Sequence, residues 1–260
     1  MKRSLCSFFT FLAAAAAGCG GETDTPGEAA WVVAERPAAR AFPAPTCAPG
    51  SYRRLRTGRA TPAAVVVRAT STSPRPGGRA TARFGVRNVN GVSTVLGVLG
   101  ARVGRDCRPT WYRVQLPVKP NETTGWVRAA DVRVATVRTR VLVDLSERRV
   151  TLYRAGRPVF TTRAAIGSAA TPTPTGAYYV NQRLVPSDPG GPFGPGAIGI
   201  SAFSEVLTGW VQGGPVAIHG TNRPDLVGQA VSNGCIRVAN ADLRRLWRDT
   251  PAGTPVVVRV

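Results

Sequence analysis

The chain of 260 residues contains only one histidine, one methionine and 7% aromatic residues. Zinc sites usually combine several His and Cys ligands, so a single histidine without clustered cysteines argues against zinc, and we expect neither a metal nor another cofactor. Beyond residue 19, no apolar run approaches the roughly 20 residues that a membrane-spanning helix needs. Helix patterns are also few, because Gly and Pro interrupt short apolar runs rich in Val and Thr. This pattern favours a mainly β fold.

Acidic residues are scarce too: 14 Asp and Glu oppose 34 Lys and Arg, a formal net charge of +20. Lysine occurs only at Lys2 and Lys119, so the charge comes almost entirely from arginine. Such a field is typical of proteins near polyanions or anionic lipids. However, the arginines are scattered, and no nucleic-acid-binding motif accompanies them, so we expect no nucleic-acid partner. Two explanations stay open: a GC-rich genome that encodes Arg, or attraction to anionic polymers and lipid head groups.

The first 19 residues read as an export signal, MKRSLCSFFTFLAAAAAGC. Lys2 and Arg3 precede an apolar stretch from Leu5 to Ala17, which has the length of a secretory signal peptide. The end of this stretch, Ala16-Ala17-Gly18-Cys19, resembles the lipobox of bacterial lipoproteins, although Leu is commoner than Ala at position 16. The resemblance implies diacylation of Cys19 and an exported protein anchored at the outer face of the cytoplasmic membrane, in the cell wall.

The alternative is ordinary cleavage after an Ala-x-Ala site, which would leave Cys19 as a free thiol. Both interpretations place the mature protein outside the cytoplasm. Residues 20–46 follow, rich in Ala, Pro, Glu and Thr and without hydrophobic periodicity, and we predict a flexible linker there.

A first folded unit is predicted over residues 47–134. Its strand candidates are Val65–Val67, Val95–Leu99 and Trp111–Pro117, which Gly, Pro and Asn turns separate. The segment WYRVQLPVKPNETTGWVRAADVRV, residues 111–134, resembles the end of a bacterial SH3-like domain. This resemblance implies a small β-barrel that binds wall peptide or simply spaces a catalytic partner, and both roles stay open.

Five cysteines occur in the chain, and Cys6 leaves with the signal peptide. With Cys19 assigned to lipidation, Cys47, Cys107 and Cys235 remain. Exported proteins can form disulfides, and Cys47 and Cys107 lie at the two ends of the predicted barrel. We therefore predict a Cys47–Cys107 disulfide and a free thiol at Cys235.

A second unit is predicted over residues 136–260. Arg140–Leu145 and Arg149–Tyr153 alternate as strands do, and the turn at residues 154–157 leads into a returning strand, Val159–Ile166. Further strand candidates are Tyr178–Val180, Pro215–Ile218 and Pro255–Val260. One helix is predicted, with Asn240 as N-cap and Leu243, Leu246 and Trp247 on its apolar face.

One pair of residues in this unit, a histidine and a cysteine, has the residue types of a catalytic pair. His219 follows an apolar strand, and Cys235 lies sixteen positions later in the segment VSNGCIR. A cysteine nucleophile needs a nearby base or a lowered pKa, since the free thiol has a pKa of about 8.5. Histidine is well matched to that task, and with one histidine in the chain any Cys/His pair must use His219.

The whole second unit resembles an L,D-transpeptidase of the YkuD type. The resemblance rests on Ile218-His219-Gly220 and on Ser232-x-Gly234-Cys235-Ile236-Arg237. It extends to VDLS at 143–146, TPTGxY at 173–178 and GTPV at 253–256. It implies a β-sandwich with one short helix, following the SH3-like barrel. It also implies a peptidoglycan L,D-transpeptidase that cross-links wall stem peptides through a thioester on Cys235.

The resemblance assigns roles to the other motif residues. His219 would be the base, oriented by the Gly220 carbonyl, and the backbone around Asn233, Gly234 and Cys235 would form the oxyanion hole. Many family members have His at the position of Asn233. Ser232 and Arg237 would contact substrate, with Arg237 pairing a carboxylate. The alternative is an Arg237 that only holds its loop.

Three alternative functions stay open from the sequence. The chain could be a non-catalytic wall-binding lipoprotein, or a polyanion-binding protein whose +20 charge is its working feature. It could also be an L,D-carboxypeptidase, which passes the acyl group to water instead of to a second stem.

Overall fold

A computed structural model describes residues 47–207 and 209–260. The predicted signal peptide, Cys19 and the linker over residues 20–46 lie outside the described residues. The described chain is mainly β with a single α-helix, as the sequence predicts. No helix within this part of the chain is long and apolar enough to cross a bilayer.

The first sheet has six strands in the order β7-β6-β5-β2-β8, with β1 paired to β5. A separate ribbon of two strands, β3 and β4, lies beside it. The apolar core of the first sheet includes Val66, Leu96, Val98, Val114 and Leu116. The bounds of these strands are β1 Tyr52–Arg54, β2 Thr61–Val66, β3 Thr70–Thr72, β4 Ala82–Phe84, β5 Val95–Val103, β6 Pro109–Gln115, β7 Thr124–Arg128 and β8 Val132–Val137.

The second sheet has eight strands in the order β11-β10-β9-β18-β13-β14-β15-β17. β12 and β16 form a short parallel pair beside it. The helix α1, Asn240–Asp249, packs Leu243 and Leu246 into the core of this sheet. The strand bounds are β9 Thr139–Asp144, β10 Arg149–Arg154, β11 Arg157–Arg163, β12 Ile166–Gly167, β13 Gly176–Leu184, β14 Ala197–Phe203, β15 Pro215–His219, β16 Ala230–Ser232, β17 Ile236–Arg237 and β18 Pro255–Arg259.

Two sequence predictions need correction. The returning strand expected over Val159–Ile166 is divided, because β11 ends at Arg163 and Ile166 pairs instead with β16. Asn240 is not the N-cap of the helix: that position is Ala239, and Asn240 is the first helical residue. The Asn240 side chain accepts a hydrogen bond from the Thr221 N–H at 2.8 Å, so it holds the loop after β15 rather than the helix end.

The two sheets pack directly against each other within one compact unit. Tyr179 of β13 is fully buried, and its hydroxyl donates to the carbonyl oxygen of Val95 at 3.1 Å. Gly97 makes room for this ring, since a Cβ there would lie 2.7 Å from the Tyr179 Cδ1 atom. Gln115 adds a hydrogen bond to the Ala177 carbonyl at 2.6 Å. The first sheet is therefore in direct contact with the sheet that carries Cys235 and His219.

Candidate active site

Strands β15 and β17 bring the predicted nucleophile and base to one place. They pair in parallel, with Ile218 opposite Ile236 and His219 opposite Arg237, and Cys235 directly precedes β17. Cys235 and His219 line the same cavity of about 120 Å³. The lining residues are Pro192, Phe193, Leu207, Trp210, Gly214, Pro215, His219, Asn233, Cys235 and Arg237.

The imidazole of His219 has a fixed tautomer. Its Nδ1 atom lies 2.6 Å from the carbonyl oxygen of Gly220. A carbonyl oxygen can only accept a hydrogen bond, so Nδ1 carries the proton and Nε2 of the neutral ring has a free lone pair. The structure therefore places Gly220 where the resemblance expects an orienting carbonyl, and it leaves Nε2 as the atom that can take a proton.

Burial keeps both members of the pair neutral. His219 is 3% exposed, and burial lowers its pKa to about 4, while the Gly220 hydrogen bond opposes this shift and the positive charge of Arg237 adds to it. Burial also raises the pKa of the Cys235 thiol, partly offset by a backbone hydrogen bond with Ala217 and by Arg237. Burial thus favours the uncharged form of each group, the thiol and the neutral imidazole.

The turn before Cys235 is held by Ser232, contrary to the substrate-binding role expected for that residue. Ser232 is fully buried, its hydroxyl donates to the Cys235 carbonyl at 2.6 Å, and it accepts from the Gly234 N–H at 3.2 Å. Its hydroxyl therefore has no access to a substrate. The same bond occupies the Gly234 amide, so the expected oxyanion role of Gly234 is not supported by this geometry.

Gly234 has another function in this turn. Its φ is +104°, a conformation that side chains rarely adopt and that glycine tolerates. Asn233 lines the cavity beside Cys235, as expected for a residue of the oxyanion turn.

Arg237 reaches the cavity from β17. Its backbone is fixed by a pair of hydrogen bonds with Ala165. Among the described residues no carboxylate forms an ion pair with its guanidinium, and its buried Nε has no hydrogen-bond partner. The side chain therefore makes no described bond that would hold the loop, and its positive charge faces both reactive groups.

Two aromatic side chains of the site are absent from the predicted set. The Phe193 ring lies 4.9 Å from the His219 ring, centroid to centroid, and Trp210 lines the cavity while 53% exposed. Strand spacing of the aromatic residues favours a core position for Trp210, and the structure corrects that expectation, since both residues belong to loops. Phe193 stands in the segment PGGPFGPG, residues 189–196, and a lone aromatic inside a Gly/Pro-rich loop is the signal that could have identified it.

The remaining site predictions lie elsewhere in the chain. Cys47 and Cys107 form a disulfide with 5.6 Å between their Cα atoms, and Cys235 is a free cysteine. Cys19 lies outside the described residues. Within residues 47–207 and 209–260, no three His, Cys, Asp or Glu side chains are grouped so that they could hold a metal ion.

Comparison with known proteins points to one family. Residues 138–258 match the profile of the YkuD L,D-transpeptidase catalytic domain. The chain is 37% identical over 123 residues to YkuD of Bacillus licheniformis, whose name assigns it to the L,D-transpeptidases, covering 47% of this chain and 67% of that protein. YkuD of Bacillus subtilis is 35% identical over 123 residues, with the same shares covered.

One solved structure can be reported beside these relatives. A cysteine-to-serine variant of an Enterococcus faecium L,D-transpeptidase is 26% identical, with a TM-score of 0.36, covering 46% of this chain and 49% of that one. The chain thus spans about half the length of this solved relative. By its matched catalytic domain and the Bacillus relatives, the chain belongs to the YkuD-type L,D-transpeptidases, a family of cysteine-dependent transpeptidases that act on peptidoglycan.

Proposed function

We propose that this protein cross-links two wall stem peptides, using Cys235 as the nucleophile and His219 as the base. The observation that carries the proposal is the shared cavity of these two residues, with Nδ1 of His219 fixed on the Gly220 carbonyl. This arrangement places one basic nitrogen and one free thiol of the described chain in the same cavity. Because burial favours the neutral forms of both groups, we propose that the thiol proton moves to Nε2 as the substrate is attacked.

The first half-reaction forms a thioester. Cys235 Sγ attacks the carbonyl carbon of the peptide bond on the carboxyl side of the donor's diamino acid, and His219 Nε2 takes the thiol proton. The carbon–nitrogen bond then breaks, and Nε2 returns the proton to the leaving D-alanine amine. Backbone amides of Asn233 and Cys235 are the oxyanion donors we propose, since Ser232 holds the Gly234 amide.

The second half-reaction transfers the acyl group. The amine of a second stem attacks the thioester carbon, the carbon–sulfur bond breaks, and the amine proton passes through Nε2 of His219 to the Cys235 sulfur. Arg237 is the residue we propose to pair with a substrate carboxylate, because its guanidinium borders the cavity and has no ion-pair partner among the described residues.

The direct test incubates the mature protein with a disaccharide tetrapeptide and weighs the products. A dimer that has lost one D-alanine supports the proposal. A monomer that has lost D-alanine indicates an L,D-carboxypeptidase instead. If the substrate is unchanged and Cys235 carries no acyl group, the protein is a wall-binding or polyanion-binding protein and the proposal is wrong.

We further propose that the protein is exported and held at the outer face of the cytoplasmic membrane by acylation of Cys19. The support is the sequence of residues 1–19, which has a basic start, an apolar stretch and a lipobox-like end. The SH3-like assignment of residues 47–134 is likewise a proposal. It rests on the sequence resemblance of residues 111–134 and on a small antiparallel sheet there.

A further inference from the structure

A second cavity lies where the two sheets meet, next to the Cys235 cavity. Its volume is about 400 Å³, and we call it the junction cavity. Both units line it, Pro215 belongs to both cavities, and the Cys235 Sγ lies 4.0 Å from the Pro215 carbonyl oxygen. Its lining residues are Arg83, Phe84, Gly85, Arg87, Asn88, Val89, Asn90, Thr94, Val95, Pro117, Asn181, Gln182, Phe203, Gln212 and Pro215.

The Cys235 cavity alone is too small for a peptide substrate. Its volume is about 120 Å³, whereas ligand pockets usually measure about 300–1,000 Å³. A stem peptide that places a carbonyl on Cys235 must therefore extend past the cavity. The junction cavity, which shares Pro215 with the Cys235 cavity, has the size that such an extension needs.

Gln182 lines the junction cavity, and its side-chain amide is held in one orientation. Its carboxamide oxygen accepts from Asn88 Nδ2 at 2.8 Å and from Asn90 Nδ2 at 2.9 Å. A flipped amide would place its NH₂ against these two donors, so the orientation is fixed. Gln182 is 8% exposed, its Nε2 has no acceptor among the described residues, and this atom is not sealed from solvent. The Gln182 Nε2 thus has an unused donor capacity in a side chain that lines the junction cavity.

Neighbouring residues hold this geometry. Asn88 has its own orientation fixed, because its oxygen accepts the backbone N–H groups of Asn90 and Val92. Gly199 lies opposite Gln182 in the sheet, and a Cβ there would come within 2.7 Å of the Gln182 Cγ. A glycine in β14 therefore gives the Gln182 side chain the space to lie in this position.

The charge of the junction cavity favours an anion. Arg83 and Arg87 line it, no acidic residue does, and neither arginine has an ion-pair partner among the described residues. Within residues 47–207 and 209–260, the Arg87 side chain donates to the Gly91 carbonyl alone, at 2.5 Å. Carboxamide donors beside unpaired guanidinium groups match a peptide that carries carboxylates.

We propose that the junction cavity binds a wall stem peptide, with Gln182 Nε2 donating to a peptide carbonyl or carboxylate and Arg87 pairing with a carboxylate. The inference deepens the proposed function and rests on it for the identity of the peptide. It also assigns the first sheet a part in substrate binding, because Arg87, Asn88 and Asn90 all come from that unit. The same chemistry serves either the donor or the acceptor stem.

Binding is tested first, without turnover. The test uses a Cys235→Ala protein and measures binding of a disaccharide tetrapeptide by calorimetry. We expect Gln182→Glu to weaken this binding at least about tenfold, because a carboxylate replaces the amide group and cannot donate a hydrogen bond. One carboxylate oxygen still accepts from Asn88 and Asn90, so the fold is preserved. Arg87→Ala, at the exposed rim, should weaken binding similarly. Arg157→Ala removes the same charge from a residue outside the cavity and is the matched control.

The two stems are separated by measuring each step in the protein that retains Cys235. If Gln182→Glu slows acylation by the tetrapeptide but not by a carbapenem, the subsite holds the donor. If only transfer to a second stem slows, it holds the acceptor. The subsite is overturned if neither Gln182→Glu nor Arg87→Ala changes binding. It is also overturned if the Cys235→Ala protein that retains Gln182 does not bind the peptide. Peptide binding that depends on Gln182 without any turnover would keep the subsite and refute the proposed reaction.

Discussion

Asn121 of the first unit exchanges two hydrogen bonds with Phe203, the last residue of β14. Its Nδ2 donates to the Phe203 carbonyl, and the Phe203 N–H donates to its Oδ1, both at 2.9 Å. A side chain from the turn between β6 and β7 thus completes the backbone bonding of a strand end in the second sheet. Phe203 also lines the junction cavity, so the pair fixes one edge of the surface that we propose for substrate.

Asn121→Ala should lower the free energy of unfolding by about 1–3 kcal/mol, because two partly buried backbone groups lose their partners. Urea denaturation measures the change. Asn222→Ala is the control, since Asn222 is exposed and its side chain makes no described hydrogen bond. Equal stability of the two variants would show that the Asn121–Phe203 pair contributes nothing measurable.

Cys235→Ala should abolish both thioester formation and cross-linking while leaving the fold intact, since the thiol is the only nucleophile in the cavity that the mechanism uses. A carbapenem should acylate the unsubstituted protein at Cys235, as the family resemblance implies, and mass spectrometry of peptides locates the adduct. Finding that adduct on Cys47 or Cys107 would refute the assignment of the nucleophile.

The lowered pKa of His219 predicts activity at unusually low pH. With a pKa of about 4, Nε2 stays unprotonated at pH 5, where an ordinary histidine with a pKa of about 6.5 is mostly charged. The acid limb of kcat/KM for a carbapenem should therefore fall near pH 4. A limb near pH 6.5 would mean that the imidazole is hydrated in solution.

The same burial makes stability depend on pH. The unfolded chain binds a proton at His219 near pH 6.5 and the folded chain only near pH 4, so the unfolded state holds more protons between these values. The free energy of unfolding should therefore be insensitive to His219 above pH 6.5. It should fall by about 3 kcal/mol as the pH falls from 6.5 towards 4. Urea titrations of the protein and of His219→Asn give the difference, and parallel pH profiles would contradict it.

Much of the fold follows from local sequence. Alternation over Arg149–Tyr153 and the Ala155-Gly156 turn predict the β10–β11 hairpin, and the structure places Arg154 opposite Arg157 as that turn requires. By contrast, the sequence analysis assigns no strand to β14, Ala197–Phe203. Six of its seven residues are buried, and a central strand buried on both faces shows no alternation.

The candidate site, like the fold, was predicted only in part from the sequence. The sequence identifies Cys235 and His219 because the chain has one histidine and few cysteines, and because their motifs resemble those of L,D-transpeptidases. It does not identify contacts that only the tertiary fold creates. Tyr179 packs against Gly97, and Gln182 accepts a hydrogen bond from Asn88, although more than eighty residues separate the members of each pair. Ser232 was assigned to substrate because motif membership alone does not distinguish a hydroxyl that bonds substrate from one that bonds the turn.

Removing the disulfide should cost stability without affecting the chemistry. Cys47 and Cys107 are separated by 60 residues, and closing a loop of that length stabilises a fold by about 4 kcal/mol in the chain-entropy model. The double variant Cys47→Ser/Cys107→Ser should lose about that much in urea denaturation. Cys235→Ser is the control and should keep its stability. A loss below about 1 kcal/mol would contradict the prediction.

Cys19→Ser should release the protein from the membrane, if acylation of Cys19 is the anchor. One acyl chain binds a bilayer only marginally, whereas the several chains of a bacterial lipoprotein hold firmly, so losing the acylated cysteine should move nearly all protein to the soluble fraction. Cys6→Ser is the matched control, because Cys6 lies within the predicted signal peptide and leaves with it. The released variant should keep its rate of carbapenem acylation, since the catalytic residues lie more than 190 positions away in sequence. Membrane retention of Cys19→Ser, or a native N-terminus that is unacylated, would replace the anchor with simple secretion.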